Sequence, residues 1–595
     1  MTDEGGEVST EPKTTIRTLD FSRPSIKAWS EPNDRHRNWP VVYVLNNERM
    51  VYVGESANAA ARMRQHLDRP ERRALSTVRI VLDETFNKSA CLDLESFLIR
   101  MFSGDGQFAV TNIADGMVDA DYYQRATYRE TFDEVFEHLR AEGLFAKRIP
   151  EIVNSDLFKL SPFKALNTDQ EAVIEDILDG LFADLGEGRL STAVIQGGPG
   201  TGKTIVAIYL LKLLSDIRDR ADIEDLDPDF VFSDFFQQGY PDLLAGTRIG
   251  LVVPQQALRS SIKKVFKRTP GLSAEMVLTP YDVAKSESNF DLLVVDETHR
   301  LTQWSSQPHP TLTNRYREIS QRLAREGERW EDLTQIDWIL RKSSHQLFLL
   351  DEGQGVRPSD VDHAALSALR AKAHDVGRRY RLTSQMRVQG GNDYLEHVRD
   401  VLGDGNPPRR QFGDYDLRFY DDIGQMREDI AAREREYGLS RLIAGYAWPW
   451  TAKKGDKVDP TVLDVVVDGY AFPWNRTDRD WINSPTSAEE VGSIHTVQGY
   501  DLNYAGVIIG RDLYYDADAG RIRLDRSNYF DARGKENNKL RGRTYSDDEI
   551  LAMVKNAYNV LLTRGMRGTY LYVCDLALRE RLRPMFPPAP RADAR

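Results

Sequence analysis

The segment GGPGTGKT has the residue types and spacing of a loop that binds phosphate groups. The apolar run TAVIQ precedes it and the helical run IVAIYLLKLL follows, so the loop is expected to join a strand to a helix. Its glycines allow backbone N–H groups to face phosphates at the helix N-terminus. Lys203 would reach the β and γ phosphates of ATP, and Thr204 would bind the accompanying Mg²⁺ ion. The residues predicted to bind the nucleotide are Gly197, Gly198, Pro199, Gly200, Thr201, Gly202, Lys203 and Thr204.

A pair of carboxylates ends a later apolar run. In LLVVDETHR, Asp296 and Glu297 follow a buried-strand pattern, and parallel sheets place ligand sites at this end of their strands. Asp296 would bind the same Mg²⁺ ion, and Glu297 would accept the proton of the attacking water. An acidic pair at a strand end is often only a helix cap. Together with the phosphate loop, it favours a site for ATP hydrolysis.

A β-hairpin with polar side chains is predicted nearer the N-terminus. In VVYVLNNERMVYVGESANAAARMRQHL, residues 41–67, two β-branched and aromatic runs flank a polar turn and a helical segment follows. The runs contain Tyr43 and Tyr52, and the helix places Arg62 and His66 on one face because they are four residues apart. Tyrosines often only pack a hairpin. The segment ARMRQHLDRPERRAL nevertheless carries five arginines, which favours a surface that faces phosphates.

The composition narrows the class of protein. The 595 residues predict three or more domains, and 41% hydrophobic and 29% charged residues are typical of globular proteins. No apolar run approaches the roughly 18 residues of a membrane span, so no membrane association is expected. Only two cysteines occur, which excludes a disulfide framework and a cysteine zinc site and favours a cytoplasmic location. The net charge of -13 argues against a wholly basic nucleic-acid coat but leaves local basic grooves open.

The chain divides into five predicted parts. Residues 1–35 are polar and are expected to be a disordered lead. Residues 36–121 form a small unit around the hairpin, and residues 122–160 form a helical connector with apolar residues at helical spacing. From residue 161 onward short buried strands alternate with helices, which predicts an α/β fold with parallel sheets.

The order of further motifs resembles that of superfamily-one helicases, over about residues 160–576. LNTDQEAV places Gln170 where that family reads adenine, and VVPQQALRSS resembles the segment that grips a single strand. LLDEGQ resembles the third motif, with Gln354 sensing the γ-phosphate, although the usual glycine–aspartate pair before the glutamine is absent. LTSQMR and VLLTRGMRG place Arg387 and Arg564 where the family inserts arginines from its second core domain, while Arg567 is undecided. SIHTVQGYDL matches the fifth motif, with His495, Gln498, Gly499 and Asp501.

This resemblance implies two RecA-like parallel-sheet domains, residues 161–380 and 381–595. The phrases AGYAWPW and SIHTVQGYDLNYAGVIIGRDL also resemble a bacterial group classed as a domain of unknown function and related to the Schlafen helicase-like domain. Arginines that reach the γ-phosphate only when two domains close would make closure depend on ATP.

The hairpin region resembles the GIY-YIG nuclease family, which has a small α+β domain with a central antiparallel sheet. VVY and YVG stand for its two tripeptides, with Val41 and Val42 replacing the usual glycine and isoleucine. The positions matched in order after them are Ser56, Asn58, Arg62, His66, Glu95 and Asn112. The resemblance implies that Tyr43, with Tyr52 beside it, takes the proton of a water. Glu95 would bind one Mg²⁺ or Mn²⁺ ion, Arg62 would stabilise the transition state, and His66 would relay a proton or hold phosphate.

These patterns predict an ATP-driven nucleic-acid motor fused to a metal-dependent endonuclease. DNA is the favoured partner, RNA is not excluded, and protein partners stay open. Foreign or damaged DNA, including that of phages, is the expected target. The alternatives are a nucleic-acid-stimulated ATPase with a binding-only hairpin domain, and a nucleotide-gated clamp that recruits partners without cutting.

Overall fold

The computed structural model describes residues 14–31, 38–113, 121–219, 230–237, 239–307, 309–351, 355–403, 405–454, 457–477, 480–497 and 500–590. The chain forms two compact units. The first contains residues 1–171, 208–245 and 261–274, and the second contains residues 172–207, 246–260 and 275–595. Within the described residues, no helix has the length and apolar character needed to cross a membrane.

The strands are β1 (Thr14–Asp20), β2 (Val41–Asn46), β3 (Met50–Ser56), β4 (Thr77–Asp83), β5 (Ala109–Val110), β6 (Ser191–Gly197), β7 (Ile249–Val252), β8 (Val277–Leu278), β9 (Phe290–Val295), β10 (Ser343–Leu350), β11 (Arg379–Leu382), β12 (Asp416–Phe419), β13 (Ser440–Ala444), β14 (Lys453–Lys454), β15 (Lys457–Val458), β16 (Val465–Val467), β17 (Tyr470–Phe472), β18 (Val491–Ser493), β19 (Leu502–Ile509), β20 (Leu513–Asp516), β21 (Arg521–Leu524) and β22 (Gly565–Val573).

The α-helices are α1 (Arg23–Ser30), α2 (Ala59–Asp68), α3 (Lys88–Asp105), α4 (Arg125–Ala141), α5 (Ile149–Val153), α6 (Asp156–Lys159), α7 (Thr168–Gly186), α8 (Lys203–Arg218), α9 (Tyr240–Leu244), α10 (Gln256–Phe266), α11 (Pro280–Lys285), α12 (Pro310–Leu323), α13 (Gln335–Lys342), α14 (His363–Asp375), α15 (Gly391–Leu402), α16 (Ile423–Tyr437), α17 (Ile494–Val497), α18 (Asp547–Leu562) and α19 (Leu576–Leu582).

The first unit contains a five-stranded sheet in the order β1-β4-β2-β3-β5. Strands β1 to β4 pair antiparallel but β5 joins β3 in parallel, so the sheet is mixed and the predicted central antiparallel sheet is not confirmed. A parallel neighbour requires a crossover connection, and α2, β4 and α3 lie between β3 and β5. Helices α3 and α4 pack on one face of this sheet, around a core that includes Val44, Leu94 and Phe136.

The expected disordered lead is wrong for residues 14–30. Strand β1 pairs with β4 along its whole length, from Thr14 opposite Asp83 to Asp20 opposite Thr77. The side chain of Ser22 then caps α1, which buries Ile26 and Trp29. The polar composition of residues 1–35 concealed these elements because β1 is an edge strand and α1 buries few side chains. Residues 1–13 and 32–35 of that segment lie outside the described residues.

The second unit contains two parallel sheets, as the alternation of strands and helices predicted. The first sheet has the order β11-β6-β10-β9-β7-β8, and the second has the order β12-β22-β19-β13-β18. All pairs within both sheets are parallel. Because β11 pairs with β6, the first sheet extends to Leu382, slightly beyond the predicted boundary after residue 380.

Candidate functional site

The phosphate loop leaves the end of β6 and enters α8. Gly200 and Gly202 have φ values of +81° and +80°, a conformation that L side chains rarely adopt. A Cβ on Gly197 would lie 2.4 Å from Oγ1 of Thr201, so the loop also requires glycine there. The Thr201 hydroxyl donates to the Gly198 carbonyl oxygen at 3.0 Å. The glycines therefore serve the tight wrapping that the sequence predicted.

Lys203 lies at the centre of this loop. Its Nζ donates to the carbonyl oxygens of Gly197 and Gly198 at 2.7 and 2.8 Å, and lies 3.3 Å from Oδ2 of Asp351. Asp351 directly follows β10 and is 4% exposed. Sequence reasoning did not select Asp351, although its place after a buried strand was an available signal.

Thr204 and Asp296, the two residues predicted to bind Mg²⁺, are hydrogen-bonded to each other. The Thr204 hydroxyl donates to Oδ2 of Asp296 at 2.8 Å, and the backbone N–H of Glu297 donates to Oδ1 at 2.9 Å. Burial and the charge of Glu297 raise the pKa of Asp296 above its ordinary value. A hydroxyl and a buried carboxylate are hard oxygen donors, which suit Mg²⁺. These two residues fit the predicted ion.

Glu297 is held next to a buried histidine. Its φ of +49° is unusual for a residue with a side chain, and its Oε2 lies 3.0 Å from Nε2 of His299. Burial opposes ionisation, but His299, Lys203 and Arg564 outweigh it and lower the pKa of Glu297. Glu297 is therefore ionised, as a proton acceptor must be. Sequence reasoning missed His299, although it stands only two residues after Glu297.

Arg564 and Arg387 lie in the same part of the second unit. Arg564 is 2% exposed and donates to the Tyr500 carbonyl oxygen at 3.2 Å. Burial and the charge of Arg387 lower the pKa of Arg564 to about 10. The charges of Asp501, Glu297 and Asp351 act in the opposite direction. The charges of Glu297 and Asp351, two carboxylates of the candidate ATP site, thus favour the protonated form of Arg564.

Arg387 is ion-paired, with its Nε 2.5 Å from Oδ1 of Asp501. The segment before it touches the phosphate loop: Gln385 Nε2 donates to the Pro199 carbonyl at 2.6 Å, and the Met386 N–H donates to the Gly200 carbonyl at 2.9 Å. The Arg387 N–H donates to Oε1 of Gln385 at 2.8 Å. Gln385 thus links the loop to the Arg387 backbone, a role for which the sequence offered no signal.

Other predicted residues have different surroundings. Gln170 belongs to the first unit, is buried, and exchanges hydrogen bonds with Asn167 at the start of α7. Arg567 is exposed and stacks over Tyr437 at 4.7 Å. His495 Nε2 lies 2.6 Å from Oδ2 of Asp531. The remaining predicted residues, Gln354, Gln498 and Gly499, lie outside the described residues.

A cavity of about 430 Å³ opens beside the segment PQQALRSS. Four arginines line it: Arg259, Arg300, Arg357 and Arg533. Burial lowers the pKa of Arg259, and burial together with the charge of Arg357 lowers that of Arg533. Two carboxylates also line it, Glu536 and Asp360, the latter 3.0 Å from Arg300, so arginines outnumber carboxylates in the lining of a chain with net charge -13.

The hairpin of the first unit also forms a polar cluster. The Tyr43 hydroxyl oxygen lies 2.8 Å from Nε2 of His66, and both side chains are fully buried. The rings of Tyr43 and Tyr52 are 6.3 Å apart, and those of Tyr52 and His66 are 5.3 Å apart. A Cβ on Gly54 would lie 2.4 Å from Oη of Tyr43, so this glycine gives the hydroxyl its space. The structure therefore brings Tyr43, Tyr52 and His66 together.

Arg62 and Glu95 act on this cluster through their charges. Burial and Tyr52 raise the pKa of Tyr43 well above its ordinary value; Arg62 acts to lower it and Glu95 to raise it. Glu95 is half-buried on α3. Within the described parts of the chain, no group of three or more His, Cys, Asp or Glu side chains could hold a metal ion. Any ion at Glu95 would therefore keep water in most positions, which is usual for Mg²⁺.

Two arginines that the sequence assigned to a phosphate-facing surface are instead buried. Arg69 and Arg72 are 7% and 9% exposed, and the guanidinium carbon of Arg72 lies 3.5 Å from the centroid of the Tyr52 ring. Burial and the charges of Arg72, Arg62 and Arg69 lower the pKa of His66 to about 2. His66 is therefore neutral, and its Nε2 can accept a hydrogen bond from the Tyr43 hydroxyl.

Three positions that resemble the GIY-YIG family, Ser56, Asn58 and Asn112, hold the backbone in place. Ser56 Oγ accepts from the Asn58 N–H at 3.0 Å, and the Asn58 side chain caps α2. Asn112 exchanges hydrogen bonds with the backbone N–H and carbonyl of Val53 at 3.2 and 2.8 Å. These contacts fix the strand and the helix that carry Tyr52, Arg62 and His66.

The profile of the family described as Schlafen group 3, DNA/RNA helicase domain, matches residues 190–575, more than half of the chain. An uncharacterized protein of Saccharomyces cerevisiae, YPL245W, is 26% identical over 473 residues, which cover 73% of this chain and 93% of the yeast protein.

Two solved structures are also similar. The helicase nonstructural protein 10 of an arterivirus has 10% identity and a TM-score of 0.22, over 68% of this chain and 64% of the viral chain. The Pif1 helicase of Bacteroides, solved with ADP-AlF3 and single-stranded DNA, has 9% identity and a TM-score of 0.23, over 72% and 96% of the respective chains. At such TM-scores neither likeness carries an assignment.

Proposed function

The chain belongs to the family of the Schlafen group 3 DNA/RNA helicase domain, and on this premise we propose that it is an ATP-driven nucleic-acid motor fused to a metal-dependent endonuclease. The observation that carries the motor is the hydrogen bond of 2.8 Å between Thr204, next to Lys203 in the phosphate loop, and Asp296, next to Glu297; the charge of the buried Arg564 acts on Glu297. Each of these groups has a part in phosphoryl transfer to water.

Mechanistically, Lys203 would exchange its contacts with the loop carbonyls and Asp351 for the β and γ phosphates. Thr204 and Asp296 would hold Mg²⁺, which supplies positive charge against the phosphate oxygens. Glu297, ionised by its neighbours, would accept a proton from the attacking water. Arg564, and Arg387 once released from Asp501, would stabilise charge on the transferred group.

Nucleic-acid-stimulated hydrolysis tests the motor. ATP turnover should rise when single-stranded oligonucleotides are added at low salt, because binding of a strand would favour the arrangement in which both arginines reach the γ-phosphate. Lys203→Ala should remove turnover with and without a strand, while Lys372→Ala, an exposed lysine of α14, should not. Turnover that stays flat with every DNA and RNA oligonucleotide would contradict the proposal.

The distance of 2.8 Å between the Tyr43 hydroxyl and His66 carries the nuclease part. Neutral His66 would accept a hydrogen bond from the Tyr43 hydroxyl and so orient the phenolic oxygen toward the attacking water. Arg62 would stabilise the pentacoordinate phosphate, and Glu95 would hold Mg²⁺ or Mn²⁺. Tyr52 and Arg72 would keep the His66 ring in position.

Cleavage of labelled strands tests the nuclease. Glu95→Ala should eliminate cleavage with Mg²⁺ or Mn²⁺ while ATP hydrolysis stays near wild type, because the two sites use separate ions. Glu48→Ala, an exposed glutamate in the turn between β2 and β3, is the matched control. Tyr43→Phe should reduce cleavage sharply without unfolding the domain, since only the hydroxyl is lost. Cleavage that survives Glu95→Ala in a preparation free of contaminating nuclease would leave the hairpin as a binding element.

We propose DNA as the preferred strand and foreign or damaged DNA, including phage DNA, as the target. The proposed pairing of a motor and a strand-cutting domain in one chain supports this role.

The alternative is an ATPase clamp whose hairpin domain only binds nucleic acid. It predicts strand-stimulated ATP hydrolysis with no cleavage of single-stranded, duplex or branched DNA or RNA under any metal condition.

A further inference from the structure

One segment of the domain built on the sheet β12-β22-β19-β13-β18 contacts the domain built on the sheet β11-β6-β10-β9-β7-β8. These are called the second and the first parallel-sheet domain. This segment, Asp531–Tyr545, follows the β20–β21 hairpin and precedes α18, and is named the strap here. At its start, Asp531 is buried and bound to His495. Near its end, Asn538 Nδ2 donates to the Trp304 carbonyl at 2.8 Å, and the Tyr545 hydroxyl donates to the Pro358 carbonyl at 2.9 Å.

A third bond fixes the strap between these points, where Arg541 donates to Oε1 of the buried Gln303 at 2.8 Å. Gln303 in turn donates to the carbonyls of Pro358 and Asp360 at 3.0 and 3.2 Å. The strap therefore docks onto the segments that follow β9 and β10, rather than lying free in solvent.

Residues of both the strap and the first parallel-sheet domain line the 430 Å³ cavity. Arg533 and Asn537 line it from the strap, while Gln255, Arg259 and Arg357 line it from the other side. Burial and the charge of Arg357 lower the pKa of Arg533, while Asp531 and Glu536 of the strap act in the opposite direction, and Arg357 Nε lies 3.9 Å from Oδ2 of Asp531. A phosphate in the cavity would add a further anionic partner for Arg357 and Arg533.

We infer that the strap is the outer wall of a closed channel for one single-stranded nucleic acid, with Arg533 contacting its phosphates. The inference rests on the proposed function and adds to it the residues that close the strand path. Arginines on both walls suit a phosphate backbone, and the amide side chains of Gln255 and Asn537 suit the edges of bases. Asn538, Arg541 and Tyr545 hold the strap to the first parallel-sheet domain by hydrogen bonds. A circular single strand could therefore enter the channel only when these hydrogen bonds break.

Linear and covalently closed circular single-stranded DNA of one sequence and length distinguish a closed channel from an open groove. The full-length protein is bound to each labelled DNA, with EDTA present so that no strand is cut, and release is followed after adding unlabelled competitor. A linear strand can slide out by its end, whereas a circle must wait for the strap to open. We expect release from the circle to be at least roughly fivefold slower, the factor expected from one additional hydrogen bond.

Tyr545→Phe should reduce this difference, because it removes only the hydroxyl that donates to Pro358. Tyr514→Phe, on the β20–β21 hairpin, is the control and should keep it. Equal release of the wild type from linear and circular DNA would overturn the channel while leaving strand binding, and so the proposed function, intact. Failure to bind either DNA would overturn both.

Salt dependence tests Arg533 separately. Arg533→Gln should make the logarithm of affinity fall less steeply with the logarithm of salt concentration, by about 0.7, the contribution of one single-strand phosphate contact. Lys539→Gln removes one positive charge from an exposed strap residue outside the cavity lining and should keep the wild-type slope. Equal slopes for Arg533→Gln and the wild type would show that Arg533 contacts no phosphate.

Discussion

The Nζ atom of Lys203 lies 3.3 Å from Oδ2 of Asp351, and both side chains are largely buried. Two loop carbonyls also accept from the same ammonium group. A nucleotide phosphate would compete with all three oxygens, so nucleotide binding must rearrange this lysine. The pair therefore connects the end of β10 to the phosphate loop.

Lys203→Ala should abolish ATP hydrolysis and weaken nucleotide binding. The side chain supplies the positive charge for the β and γ phosphates, and we expect turnover to fall by at least about a hundredfold. Steady-state hydrolysis and binding of a fluorescent ATP analogue measure the two effects. Unchanged nucleotide affinity in the variant would show that Lys203 does not contact the phosphates.

Glu297→Gln should behave differently, because it removes the proton acceptor and keeps the shape. Hydrolysis should fall by about 10²- to 10⁴-fold, the usual contribution of a general base, while nucleotide affinity stays near wild type. The variant should also accumulate in a closed, strand-bound state with ATP. Normal turnover would mean that the catalytic carboxylate lies elsewhere.

Gly54→Ala should disturb the hairpin cluster. The new Cβ would lie 2.4 Å from the Tyr43 hydroxyl oxygen, so either Tyr43 moves or the strands separate. We expect a loss of about 1–3 kcal/mol in the free energy of unfolding of this domain, together with loss of cleavage. Gly186→Ala, at the end of α7, is the control because a Cβ there meets nothing within 4 Å. Equal thermal stability of both variants would contradict the crowding argument.

Asp512 should make stability depend on pH. Burial raises the pKa of this fully buried carboxyl to about 7, and the charge of Asp525 also raises it. Hydrogen bonds from Tyr558 and from backbone N–H groups act to lower it. Because the folded-state pKa is raised, its stabilising contribution is complete below the unfolded-state pKa of about 3.9 and is lost as pH rises toward 7. Between pH 4 and 7 the wild type should therefore lose stability relative to Asp512→Asn. Parallel thermal unfolding curves across this range would show that Asp512 does not titrate there.

The residues that could be predicted were those whose roles follow from local spacing. The loop glycines, Thr204 and Asp296 were predicted from local patterns of strand, turn and helix, without knowledge of distant contacts. Asp351 and Gln385 were missed because their contacts come from separate segments that meet only in the folded chain, whereas His299 was missed although its partner Glu297 is two residues away. The burial of Arg69 and Arg72 was likewise invisible in a run of charged residues.

The pairing of β1 with β4 bears on how the small domain avoids self-association. Without β1, the backbone N–H and carbonyl groups of β4 would form an open edge, and such edges recruit strands from other molecules. The outer strand is a poor template itself, since TTIRTLD is mostly polar and four of its seven positions are exposed. A fragment that began at Trp39 would keep every predicted nuclease residue and still expose β4. Shielding of the sheet edge therefore sets the smallest soluble form of this domain, which must include Thr14–Asp20.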